Sequence, residues 1–350
     1  MFLNKTHLDT TRYTSQLLLS YKREVSMVVG DRRVGKTFHF VYKAVEKALK
    51  KHTITFMWLR IMKTEIDKVK PTFFADIEKF NIFPEYSFKV VGDYGYATLL
   101  STGETFPICV LGFVKNAQTI KGSPYPDVEE IYLDEFMQEE GSQPCKNVVT
   151  LLYSIAYSVF SLRKVKLILI GNAVTMVNPF FVHFGIRDIN RPFTKGKLYV
   201  VENVNYEDKY KEFRKKAKDS SFGKLVKGSD YEKYALDNKF VLDDISDVTK
   251  LKLDKSNIIC AFKLDNLINV YVNKDYLYFE DTKKPLSNIP IYTPFVDKAK
   301  GDIIYMKYSA DLFKKIFSLC NVRKIRYNTL LTKNQVFELM KKVVGNLNLN

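Results

Sequence analysis

Four cysteines in 350 residues, Cys109, Cys145, Cys260 and Cys320, are scattered with no C-x-x-C spacing. That pattern offers neither a zinc site nor a disulfide framework, and reduced, mostly buried thiols in a cytoplasmic protein are expected. No apolar run reaches the roughly 18 residues of a membrane span. The first residues, Met1-Phe2-Leu3-Asn4-Lys5-Thr6-His7, lack the apolar core of a signal peptide. Acidic residues are scarce: 39 Asp and Glu face 55 Lys and Arg, for a formal net charge of +16. A polyanionic partner, most commonly nucleic acid, follows from that balance. Disorder does not follow, because 46% of the residues are apolar and 14% aromatic, enough for large cores. The length suits two domains.

The most informative stretch begins at Val25-Ser26-Met27-Val28-Val29, an apolar strand. It runs into Gly30, Asp31, Arg32, Arg33, Val34, Gly35, Lys36 and Thr37, and then into a helix. This is G-x-x-x-x-G-K-T, a Walker A phosphate loop in its strand–loop–helix setting. The glycines let the backbone N–H groups face a phosphate, Lys36 reaches the β- and γ-phosphates, Thr37 ligates Mg²⁺, and the helix N-terminus adds its dipole. ATP and Mg²⁺ are therefore the expected ligands.

Further along, Val128-Glu129-Glu130-Ile131-Tyr132-Leu133-Asp134-Glu135 reads as a strand ending in two carboxylates, the Walker B pattern. Asp134 is expected to hold Mg²⁺ and Glu135 to activate water. An apolar helix over 145–162 separates it from strand 165–170, which ends at Gly171-Asn172. One helix between two strands is one crossover. It places Asn172 as a γ-phosphate sensor on a strand between the Walker A and Walker B strands. Arg163, with Lys164 or Lys121 as alternatives, is the expected cation acting on a neighbour's phosphates.

The coarse organisation comprises an ATPase domain over 1–203, a charged helical linker over 204–249 and a second domain over 250–350. In the first, a helix over about 64–80 is kinked or divided by Pro71, and 86–112 reads as short strands forming a hairpin inserted at the sheet edge. Residues 1–23, with Tyr13 and Tyr21, precede the first strand, where adenine contacts are often made. The linker carries a helix over 207–218 and another over 229–239. The second domain reads as a three-strand meander (257–262, 267–272, 276–280), a strand near 303–307, a helix, a strand near 323–327 and a helix. That order suits a truncated RNase H-like fold, and no acidic set on its strands suits two metals, so no nuclease activity is expected. The expected class overall is α/β, a mostly parallel P-loop sheet flanked by helices plus a small α+β domain.

Three segments carry a more specific likeness: the phosphate loop, Ile131-Tyr132-Leu133-Asp134-Glu135-Phe136, and Gly171-Asn172-Ala173-Val174 with Val177-Asn178-Pro179-Phe180-Phe181. With Leu236-Asp237-Asn238-Lys239-Phe240, they resemble the genome-packaging ATPases of small podoviruses. The resemblance implies a homo-oligomeric ring, usually a pentamer, on the portal of an empty procapsid. Such a ring pumps double-stranded DNA at the expense of ATP, with a structural prohead RNA as partner and a C-terminal nuclease fold that has lost catalysis. It also implies that Lys121 and Arg163 act in trans on the neighbour's ATP, and that Arg60 and Lys63 face the DNA channel. No membrane association is implied, and the ring is expected in the host cytoplasm, transiently on the procapsid. Competing readings are a helicase or conjugative pump of the same superfamily, and a nucleic-acid-binding protein that uses ATP only as a switch. A GTPase is disfavoured, because Asn273-Lys274-Asp275-Tyr276 carries its Asp one position early for the guanine motif.

Overall fold

The computed structural model describes residues 13–30, 34–122, 124–137, 145, 147–172, 175–176, 178–206, 210–229, 246–251, 254, 257–283, 288–308 and 310–347. The chain divides into two compact units. The first comprises residues 1–174 and 188–241, and the second residues 175–187 and 242–350. This differs from the three-part division expected from composition: most of the charged stretch after 204 groups with the first unit, and a short internal segment belongs to the second.

In the first unit the elements begin with α1 (Gln16–Ser20), β1 (Val25–Val29), α2 (Lys36–Lys51), β2 (Phe56–Arg60), α3 (Lys63–Val69) and α4 (Ala75–Lys79). There follow β3 (Tyr86–Val91), β4 (Tyr94–Leu99), β5 (Thr105–Phe113), α5 (Ala117–Lys121), β6 (Glu130–Asp134), α6 (Val148–Phe160) and β7 (Leu167–Ile170). After α7 (Pro179–Phe184), which lies in the second unit, come β8 (Phe193–Lys195), β9 (Tyr199–Asn203), α8 (Lys211–Asp219) and α9 (Ser221–Leu225).

The sheet order is β3-β4-β5-β2-β6-β7-β1-β9-β8. From β5 to β9 all neighbours are parallel, and antiparallel strands close both edges. Every residue of β1, β2, β6 and β7 is buried, as parallel strands covered on both faces require. Helix α2 buries Phe40, Val41, Ala44, Val45, Ala48 and Leu49, one stripe at helical spacing. The aromatic centre of this core is Trp58 stacked on Tyr132, ring centroids 5.0 Å apart.

The mainly parallel α/β sheet agrees with expectation, and β7 lies between β6 and β1 as the single-crossover argument required. Pro71 does divide its helix, into α3, a 3₁₀ turn over Lys70–Thr72 and α4, because it supplies no N–H to continue the ladder. The reading of 86–112 needs correction. Only β3 and β4 form the edge ribbon, and β5 is a strand of the parallel sheet, registered Phe56 to Cys109 against β2. Its buried run over 108–111 was the available signal. The expected helix over 229–239 and the Leu236–Phe240 segment lie outside the described residues, apart from Ser229.

The second unit holds β10 (Ile258–Lys263), β11 (Leu267–Val272), β12 (Tyr276–Thr282), β13 (Ile291–Thr293), β14 (Ile303–Tyr305), α10 (Asp311–Val322), β15 (Lys324–Tyr327) and α11 (Leu330–Leu347). Its sheet runs β14-β13-β10-β11-β12-β15, with the expected antiparallel meander at its centre. Phe262, Val270, Leu277, Phe279, Phe313, Ile316, Leu339 and Val343 form a separate core.

Candidate active site

Strand β1 ends at Val29, and Gly30 turns the chain with φ +115°, a value L side chains rarely adopt. A Cβ there would lie 2.6 Å from the Asn205 Oδ1 and 2.8 Å from a Val204 methyl. Backbone and neighbouring loop therefore meet where a phosphate must approach. Asp31, Arg32 and Arg33 lie outside the described residues. Val34 is buried, and Gly35, φ +92°, leads into α2. Lys36 is buried and donates to the Gly30 carbonyl at 2.7 Å, holding its ammonium across the mouth of the loop.

One turn into the site, the Thr37 hydroxyl donates to Asp134 Oδ1 at 3.3 Å. Strand β6 delivers Asp134 with its side chain 3% exposed, and burial pushes this carboxyl above the usual range. Arg60 opposes that rise, and the adjacent Glu135 adds to it. Glu135 follows with φ +55°, a left-handed backbone in a residue with a Cβ. Such a conformation persists only where its surroundings hold it, and it turns the carboxylate, 53% exposed, out of the sheet.

Arg60 corrects the sequence reading. It was expected to face a DNA channel, yet its side chain is only 11% exposed. One terminal nitrogen lies 2.8 Å from Asp134 Oδ2, and the other is paired with the Glu135 carboxylate. Strand β2 lies directly beside β6, so the last residue of one faces the last residues of the other. The signal in the sequence was a cation ending an otherwise apolar strand. The adjacency of the two strands was not legible. Lys63, the first residue of α3, is exposed.

Asn172 lies two residues beyond Ile170, which registers with Asp134 on one side and Val28 on the other. The Gly171 N–H donates to the Val28 carbonyl, and the Phe136 N–H to the Ile170 carbonyl. The sensor candidate thus stands between the two Walker motifs.

Arg163 lies at the other end of β6. Its guanidinium donates to the carbonyls of Tyr125 (2.9 Å), Pro126 (2.6 Å) and Val128 (2.8 Å), and to that of Val159. Within its own chain it clamps the segment entering β6. Lys164 and Lys121 are exposed, Lys121 at the end of α5. Tyr13 offers no free ring for a base, because its side chain is buried and its hydroxyl donates to Glu202 at 2.6 Å.

A hard divalent cation favours oxygen ligands, and the Thr37 hydroxyl and Asp134 carboxylate already converge. The loop glycines, Lys36 and this oxygen pair together fit a nucleotide triphosphate with Mg²⁺. Among the described residues no cluster of three or more His, Cys, Asp or Glu suits a metal elsewhere, and no helix is long and apolar enough to cross a membrane.

Comparison with known proteins agrees with this geometry. The family described as Podovirus DNA encapsidation protein (Gp16) matches residues 8–344. The DNA packaging protein of Bacillus phage B103 is 28% identical over 332 residues, covering 93% of this chain and 99% of that protein. That of Bacillus phage phi29 is 27% identical over 338 residues, covering 95% and 97%. Among solved structures, a chain of the bacteriophage Phi-29 viral genome packaging motor assembly superposes with a TM-score of 0.69 at 24% identity, covering 95% of this chain and all of that one, a likeness of fold. The N-terminal domain of the DNA packaging ATPase from bacteriophage phi29 matches 56% of this chain and 97% of its own, with a TM-score of 0.50 and 29% identity. A family match over nearly the whole chain, on top of a complete pair of Walker motifs, makes this protein a member of the podovirus DNA encapsidation family.

Proposed function

We infer that this chain is an ATP-hydrolysing motor that drives double-stranded viral DNA into a preformed procapsid. The observation that carries the reading is the convergence of Thr37, Asp134, Glu135 and Asn172 at the carboxyl ends of β1, β6 and β7, beside the phosphate loop. Nucleotides bind at that edge of parallel sheets. Gly30 and Gly35 shape the loop and Lys36 neutralises β- and γ-phosphate charge. Thr37 and Asp134 would hold Mg²⁺, which would offset the negative charge that develops on the phosphates.

Glu135 is the general base. Its carboxylate is engaged by Arg60 in an ion pair, and a base must be free to take a proton from water. Hydrolysis therefore requires Arg60 to release Glu135. Asn172 is placed to sense the γ-phosphate.

A positive chain suits a sequence-independent grip on phosphates, as translocation requires. Exposed Lys63 is retained as a DNA contact, and Arg60 is assigned to the catalytic carboxylates. The family likeness supports a ring on the procapsid portal, pentameric by resemblance, with a prohead RNA as partner, in the host cell during assembly. In that ring Arg163, Lys164 or Lys121 supplies the cation to the neighbour. The second unit reads as a vestigial RNase H-like domain without nuclease activity.

The test is steady-state ATP hydrolysis by the purified chain, with and without double-stranded DNA and procapsids, for wild type and Lys36→Ala. DNA-stimulated turnover that disappears in the variant supports a motor. Turnover indifferent to DNA and procapsids would replace it with a nucleotide switch.

A further inference from the structure

Strand β7 ends at Ile170, and beyond Asn172 residues 175–187 belong to the second unit. The chain then returns through β8 to β9. Strands β7 and β9 are the two neighbours of β1, the phosphate-loop strand. The connection between them is thus built into the other unit.

This crossover is firmly held. Asn178 accepts hydrogen bonds from the Phe180 and Phe181 N–H groups at 3.2 and 3.0 Å, starting α7, and donates to the Thr175 carbonyl at 3.3 Å. Phe180, Phe181 and Ile186 are buried. Beyond the helix, Arg187 Nε lies 2.7 Å from Asp281 Oδ2 on β12, an ion pair whose N–H is not aligned for a hydrogen bond. The Asp281 side chain has no exposure. Its other oxygen accepts from Asn328 Nδ2 at 2.8 Å, and Asn328 Oδ1 accepts from the Asp281 N–H at 3.1 Å and the Thr332 hydroxyl at 2.8 Å. A buried carboxylate without a cation is costly, so Arg187 is bound to this spot.

Two residues separate Asn172 from Thr175, and three Cα steps span at most about 11 Å. The covalent link between them is therefore short in sequence. We propose that Arg187 and Asp281 are positioning residues. Their ion pair anchors the crossover so that displacement of Asn172 on gain or loss of the γ-phosphate is delivered to α7 and β12 of the C-terminal unit. The inference rests on the ATPase reading above. Its physical basis is one short element biased from both ends: nucleotide at Asn172, and the Asp281 network at Arg187.

Hydrogen exchange on the full chain, with Mg-ATPγS against Mg-ADP, tests it. In wild type the nucleotide-dependent difference is expected in the phosphate loop and also in α7, β12 and β15. In Arg187→Gln the difference should persist at the phosphate loop and fall about fivefold or more in β12 and β15. Arg187→Lys should restore it. Asn172→Ala, which leaves both residues of the ion pair in place, should silence the same C-terminal amides without loosening them, which separates signalling from folding. A difference in β12 and β15 that survives both Arg187→Gln and Asn172→Ala overturns the proposal. So does a wild-type difference confined to the phosphate loop. No difference anywhere would remove the ATPase reading, and this one with it.

Discussion

The guanidinium of Arg60 bridges the two carboxylates that end β6, pairing with Asp134 at 2.8 Å and with Glu135 through its other terminal nitrogen. One cation therefore holds both the metal-binding and the base candidates, from a strand 74 residues earlier in the chain. Arg60→Met takes away the cation paired with Asp134 and leaves the carboxylate buried. The expected loss is about 3–5 kcal/mol of stability, typical of breaking a buried pair from one side. Asp134→Asn added to Arg60→Met should recover a large part of it. Urea unfolding of the single and double variants measures the coupling, and additive losses would contradict the pair.

Glu135→Gln keeps the size of the side chain and removes the base. Mg-ATP binding should be retained while turnover falls about 10²–10⁴-fold, the range for a general base. DNA encapsidation should stop. Single-turnover hydrolysis together with nucleotide-binding titration separates the two steps. Wild-type turnover in this variant would transfer the role of base to another group.

Gly30→Ala meets two obstacles, a φ of +115° and contacts of 2.6 and 2.8 Å with Asn205 and Val204. A destabilisation of about 1–3 kcal/mol is expected from the backbone alone. Asn205→Ala relieves the closest contact but not the backbone, so it should not restore nucleotide affinity. Thermal unfolding and nucleotide titration of the double variant check this.

Acid sensitivity is expected from Glu130, at the start of β6 with its side chain 8% exposed. Burial raises its carboxyl, but Lys166, Lys47 and the Tyr132 hydroxyl outweigh burial and hold it below the ordinary value. A depressed folded value means that the stabilisation is complete above the unfolded glutamate range, near pH 4.3, and is lost as pH falls through the folded value. In Lys166→Met the acid limb of stability should begin at higher pH. The loss at neutral pH should be about 1 kcal/mol or less, because Lys166 is itself about a third exposed. Urea midpoints from about pH 3 to pH 7 show the limb; an unchanged limb in Lys166→Met would remove Glu130 as its source.

Arg163→Ala should increase hydrogen exchange at 125–129, since three carbonyls of that segment lose their donor. Mixed rings test the expected role towards a neighbour. Arg163→Ala and Glu135→Gln subunits, each inactive alone, should regain part of the ATP turnover when combined. No recovery in rings of verified composition would leave Arg163 with the clamp alone.

The sequence by itself determined the phosphate loop, the Asp134-Glu135 strand end and the position of Asn172. Each is carried by a local pattern: an apolar run, a glycine spacing, a polar residue where a strand stops. It also determined the C-terminal meander, because alternation and turn residues act over a few positions. Burial alone decided the rest. That β5 joins the parallel sheet beside β2, and that Arg60 turns inward to β6 and not outward to DNA, depends on which strands lie side by side. A cation at a strand end reads the same beside a channel or beside a carboxylate. The membership of residues 175–187 in the second unit is likewise a tertiary outcome, fixed where Phe180 and Phe181 are buried and where Arg187 meets a buried Asp281. Local chemistry names the groups, but only long-range packing sets a charge's dielectric surroundings and its partner, and with them its role.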